Sequence, residues 1–208
     1  MKKCVVFAFA LLLSTGSMKR TVADDDDKHK ADPLRANLIG FQEVPAISTT
    51  GKGTFEARIN DSETAMDFKI HWENLQGTTV TQSHIHFGQR SVNGGIIIWL
   101  CGSATNPGPA GTPVCPGPLD GTVEGTIDAS KVVGPATPPG QGILATEFAE
   151  SLKAIRAGIA YANVHTNTWP GGEIRGQIRG RHGFGPSLEV PGKASDHDHS
   201  NKGGGKND

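Results

Sequence analysis

Between residues 66 and 73 the chain alternates strictly: Met66, Phe68, Ile70 and Trp72 fall on one side, and Asp67, Lys69, His71 and Glu73 on the other. Such a period of two is the mark of a strand with one buried and one wet face. Further short segments at 34–39, 53–59, 80–87, 95–101, 121–127, 158–165 and 173–178 carry strand-forming residues between Gly, Pro and Asn punctuation. About eight short strands separated by turns predict an all-β fold, an antiparallel Greek-key-like β-sandwich. Asn93-Gly94 is a tight-turn signal, so the 80–87 strand is expected to turn through 89–94 into the next one as a hairpin. Ile96-Ile97-Ile98-Trp99-Leu100 has no polar alternation and reads as a central strand covered on both faces. One short helix interrupts the strands. Phe148, Leu152 and Ile155 recur at helical spacing, Glu147 and Glu150 sit early, Lys153 and Arg156 late, and Gly158 stops it. It is expected to lie as a lid across one end or edge of the sheets.

The domain is expected to span residues 34–180, with both ends of the 208-residue chain outside it. Lys2-Lys3 followed by an apolar run to Leu13 has the charged and apolar regions of a signal peptide, assigned here to residues 1–23. Cleavage after Thr21-Val22-Ala23 competes with cleavage after Gly16 or Ser17. Residues 24–33 begin with Asp24-Asp25-Asp26-Asp27-Lys28, which matches the recognition sequence of a gut processing protease and is either an engineered scar or an acidic linker. Residues 181–208 form a polar, Gly-rich tail. A secreted or periplasmic protein is expected, with no transmembrane segment once the signal is removed.

Within 34–180 ten Lys and Arg face twelve Asp and Glu, and the basic residues are scattered. Nucleic acid is therefore not an expected partner, because phosphate binding requires concentrated positive charge. Cys101 and Cys115 remain after signal removal, flanking a Pro- and Gly-rich stretch, and in an exported protein they read as one disulfide.

Chemistry concentrates in the histidines. In an extended strand His84 and His86 present their rings to the same side, and His165, which ends another alternating stretch, is the expected third member. Three neutral imidazoles suit a metal ion, with copper first by affinity and zinc the runner-up. His71 is a further candidate ligand, and Asn163 or Glu173 could accept from a ligand's second ring nitrogen. The competing reading is that these histidines merely decorate a hydrophilic strand face. His197 and His199 in the tail could hold metal only loosely. The sequence contains no Gly-x-Ser-x-Gly elbow, no His-Glu-x-x-His and no phosphate-loop glycine pattern.

Ser83-His84-Ile85-His86-Phe87-Gly88, Asn93-Gly94-Gly95, Gly158-Ile159-Ala160-Tyr161-Ala162-Asn163-Val164-His165-Thr166 and Trp169-Pro170-Gly171-Gly172-Glu173-Ile174-Arg175-Gly176-Gln177-Ile178 resemble the CHRD domain, named for chordin. An opening with Leu38, Gly40, Glu43, Val44 and Pro45 is similar to the start of that family. The resemblance implies a β-sandwich outside the cytoplasm. Because chordin works through protein binding, it also implies a rival to the metal reading: an extracellular adhesion or protein-binding module without metal. The His-x-His strand is similar, in part, to the copper strand of copper-zinc superoxide dismutases. That similarity implies a second alternative, a copper-dependent oxidoreductase acting on superoxide or peroxide. The closely spaced zinc-loop ligands and the arginine-containing final motif of those enzymes are absent here.

Overall fold

Each of the eight strands begins and ends within two residues of its expected bounds, and together they form one antiparallel sheet. The structure is a computed structural model, and it describes residues 33–117, 120–135 and 140–180. The signal, linker and tail assignments lie outside these residues, save for Pro33. The strands are β1 (Leu34–Ile39), β2 (Lys52–Ile59), β3 (Ala65–Glu73), β4 (Val80–Phe87), β5 (Gly95–Gly102), β6 (Asp120–Asp128), β7 (Ala160–Thr166) and β8 (Ile174–Gln177), with helix α1 (Phe148–Arg156) between β6 and β7. Their order across the sheet is β5-β4-β7-β8-β1-β2-β3-β6.

The sheet is continuous and curls almost into a barrel, where separate sandwich layers were expected. After β6 a 3-10 turn at Ala129–Lys131 returns the chain to β5. There Val132 bridges Ile98, and the Val133 N–H donates to the Ile97 carbonyl at 2.9 Å. The Ile96–Leu100 segment is thus the last strand of the ladder and not a central one. Ile97, Ile98 and Leu100 are buried all the same, because the returning segment covers the free side of β5.

The interior is filled by alternate residues of the strands, among them Leu38, Phe55, Ile70, Trp72, Ile85, Val164 and Ile174, each at most 1 % exposed. On β3 the alternation holds as read: Met66, Phe68, Ile70 and Trp72 are buried and the intervening polar residues face out. Helix α1 buries Phe148, Leu152 and Ile155. It ends in a Schellman motif: Gly158, at φ +70°, donates to Ile155 O, and Ile159 donates to Ala154 O. Glycine is the residue that takes this left-handed conformation without strain.

Cys101 and Cys115 form the expected disulfide, with Cα atoms 5.0 Å apart. Gly102 and Cys115 also exchange backbone hydrogen bonds with this loop, at Pro113 O and Gly102 O. The loop packs at Gly108 against the indole of Trp99. Closing a loop of this length removes roughly 3 kcal/mol of chain entropy from the unfolded state. Reduction is accordingly expected to lower stability by about 3 kcal/mol, read as a lower urea midpoint with reductant present.

Candidate metal centre

Strands β4, β7 and β8 are buried on both faces. One face of each points into the apolar interior. The other carries His84 and His86 on β4, Tyr161, Asn163 and His165 on β7, and Arg175 and Gln177 on β8. Register aligns them in rows: His84 pairs with Asn163 and Asn163 with Arg175, while His86 pairs with Tyr161 and Tyr161 with Gln177. Irregular register between β4 and β5 at Ser83/His84 and Ile85/His86 surrounds the His-x-His pair.

Loops fold over this outer face. Arg175 Nη atoms donate to Gln89 O, Val92 O and Asn93 Oδ1, which holds the 88–94 loop in place. Asn93 donates in turn to Val44 O, joining the 40–51 segment to the cover. The turn after β7 completes it. Consequently His84 is 0 %, His165 6 % and His86 8 % exposed, so these rings do not decorate a solvated strand face.

The candidate ligand atoms of His84, His86 and His165 all lie within 4.8 Å of one another. Ring shifts of under about 1 Å would bring each nitrogen to the roughly 2.0–2.1 Å of a metal–imidazole bond. Two of the rings have a fixed tautomer. His86 Nδ1 is 2.8 Å from Gly94 O and His165 Nδ1 is 2.9 Å from Pro170 O. A carbonyl can only accept, so each Nδ1 carries the proton and each Nε2 presents a lone pair. Both Nε2 atoms are buried with no hydrogen-bond partner, as are both nitrogens of His84. Aromatic rings wall the cluster. Trp99 meets His84 edge-on at 4.3 Å between centroids, and Tyr161 stacks on His86 at 4.7 Å.

Burial holds all three rings neutral. It is the main cause that lowers the His84 pKa to about 2, with His165 and His86 adding to it, and the His86 pKa to about 4. Burial lowers that of His165 as well. Neutral imidazole is the form that ligates metal.

Two of the expected participants stand elsewhere. His71 lies on the outward face of β3, with Nδ1 3.1 Å from Thr122 Oγ1 and 3.7 Å from the Asp120 carboxylate. Its register partners are Thr54 and Thr122, so the strand order keeps it away from the cluster. Glu173 touches no histidine: its carboxylate accepts from Thr49 Oγ1, the Gln76 N–H and Thr166 Oγ1. Backbone carbonyls of Gly94 and Pro170 do the orienting that Glu173 was expected to do. Asn163 does lie beside His86, and its Oδ1 is buried and unpartnered.

Arg175, Tyr161, Trp99 and Glu43 were not expected in this setting. The Arg175 guanidinium rests 3.3 Å from the Tyr161 ring centroid, and Glu43 supplies a nearby negative charge. Tyr161 was legible, since it shares the alternation phase of Asn163 and His165. Glu43, in an irregular segment against Gly172, offered no periodic signal.

Burial raises the Glu43 carboxyl pKa to about 7, against the opposing charge of Arg175. Between the ordinary carboxylate range and pH 7 the folded chain keeps a proton that the unfolded chain releases, so stability falls as pH rises through that window. Glu43→Gln is expected to remove this slope. Relative to the variant, the metal-free parent should lose up to about 3 kcal/mol between pH 4.5 and 8, measured by urea unfolding at each pH.

A nearly closed antiparallel barrel with a disulfide and a buried cluster of three histidines able to coordinate a metal defines the class of this domain. The family model for the CHRD domain matches residues 34–178, and the chain belongs to that family. Comparison with curated proteins finds no match that would lend it an activity. The family match lends no support to the likeness to the copper strand of superoxide dismutases.

Proposed function

We propose that this CHRD domain is a metal-binding module that works outside the cytoplasm and holds one copper ion through His84, His86 and His165, with zinc the runner-up. The observation that carries it is the gathering of one ring nitrogen from each of three buried histidines within 4.8 Å, with the Nε2 lone pairs of His86 and His165 unpartnered and neither nitrogen of His84 hydrogen-bonded. Unsatisfied buried polar atoms are costly, and these acceptors face one another, so a cation is the partner that satisfies them together. Imidazole nitrogen suits copper, where affinity for such ligands generally peaks. Export is supported by the signal-like start and by the disulfide, which persists in oxidising compartments. No helix among the described residues is long and apolar enough to cross a membrane.

The test is metal analysis of untagged chain, with His182, His197 and His199 replaced by Gln, after removal of metal and titration with copper and zinc. One tightly bound ion per chain supports the reading. Protein that stays metal-free would leave the extracellular protein-binding module as the better account.

A further inference from the structure

We infer that the cluster takes its copper as Cu(I), in a closed site of three nitrogens that discriminates against divalent ions; this rests on the metal reading above and specifies the ion. The first ground is charge. All three ligands are neutral, and the buried carboxylates among the described residues are Glu43 and Glu173. Glu173 is occupied by Thr49, Gln76 and Thr166. Glu43 lies against Gly172 and faces the charge of Arg175. The fixed charge that acts on His86 is itself positive: Arg175 sits on Tyr161, which stacks on His86. A divalent ion would bring two uncompensated charges into this setting. The cost of burying an ion in a medium of low dielectric constant grows with the square of its charge, so it is about fourfold greater for a divalent than for a monovalent ion of similar size.

Coordination number is the second ground. Zn(II) sites are almost always four-coordinate, with a water or fourth protein ligand, and Cu(II) prefers tetragonal arrangements. Here each unpartnered ring nitrogen has less than 1 Å² of exposed surface, and Trp99 and Tyr161 stand against the rings. Water has no ready place on the ion. A further unpartnered oxygen donor among the described residues is Asn163 Oδ1, on a residue beside His86, an amide oxygen without charge. A filled-shell monovalent ion is content with two or three nitrogens, which this cluster supplies.

The experiment uses the full-length chain, stripped of metal, under anaerobic conditions. Cu(I), kept reduced with ascorbate, is competed against bicinchoninate, and Cu(II) and Zn(II) are competed against chelators of known affinity. Ag(I), a monovalent ion that needs no reductant, is counted by native mass spectrometry. Expected is one Cu(I) or Ag(I) per chain, lost in both H84A and H165Q, with Cu(I) bound at least about 100-fold more tightly than Cu(II). For a one-electron couple that ratio raises the copper potential by about 120 mV over the unbound pair. Asn163→Asp keeps all three rings and the side-chain shape but adds a negative charge, and is expected to shift the Zn(II) to Cu(I) affinity ratio at least about tenfold toward Zn(II). Zn(II) or Cu(II) bound as tightly as Cu(I), with the same dependence on His84 and His165, overturns the inference and leaves the metal site standing. An unmoved ratio in N163D overturns the charge argument on which it stands. No histidine-dependent binding of any ion overturns both readings.

Discussion

His84→Leu is expected to weaken copper binding by well over 100-fold while leaving the metal-free domain at least as stable as the parent. Outer hydrogen-bond partners of a metal ligand typically contribute 10–100-fold in affinity, and a ligand itself should contribute more. His84 is the central ring, with centroids 5.4 Å from His86 and 5.1 Å from His165, whereas those two are 6.5 Å apart. Its stability effect should have the opposite sign. Both of its nitrogens are buried without partners, and replacing such a group by an apolar one of similar size removes a penalty of about 1–3 kcal/mol. Titration read by competition, together with urea unfolding without metal, checks both halves. His71→Ala, on the outward face of β3, should leave affinity unchanged. Equal losses for the two variants would remove His84 from the site.

The largest expected loss of stability comes from Glu173→Leu, at about 3 kcal/mol or more. This carboxylate is fully buried and gathers three donors from distant parts of the chain. Thr49 lies ahead of β2, Gln76 follows β3, and Thr166 ends β7; their contacts with it measure 2.7, 2.6 and 2.8 Å. Hydrogen bonds to a charged acceptor are stronger than neutral ones, and leucine would strand the half-buried Gln76 N–H along with two hydroxyls. Glu173→Gln retains an acceptor oxygen and should cost less. Urea unfolding of the metal-free variants measures the order. Near-equal stability of the Leu variant and the parent would show that these segments are held by packing alone.

The strands were legible because alternation reports burial directly. The hairpin joining β4 to β5 through residues 89–94 was legible, but its tight turn falls at Arg90-Ser91, where Ser91 has φ +63° and the Val92 N–H donates to Gln89 O, and not at Asn93-Gly94; Gly94 is needed instead because a side chain there would run into the Phe87 carbonyl. The pairing of His84 with His86 followed from strand geometry, and the gathering of His165 beside them agrees with the reading of its segment as a strand. What covers them was not legible. Residues 40–51 and 88–94 look like solvated loops, and their role appears only when Arg175 draws the second of them down. His71 and His84 carried similar local patterns, and only the register sets them in different surroundings. The carbonyls of Gly94 and Pro170 that accept from His86 and His165 could not be read beforehand, because a backbone carbonyl leaves no mark in a sequence when it orients an imidazole.

The short return of the chain from β6 to β5 bears on how copies of this domain behave in company. An eight-stranded ladder left flat would offer β5 and β6 as two open edges, and open edges are templates for strand addition by a neighbouring molecule. Val132 lies as a bridge partner beside Ile98, and the Val133 N–H occupies the Ile97 carbonyl that such a neighbour would use. Two residues thus shield the middle of the isoleucine strand, the stretch where strand addition by another copy of the domain would otherwise begin.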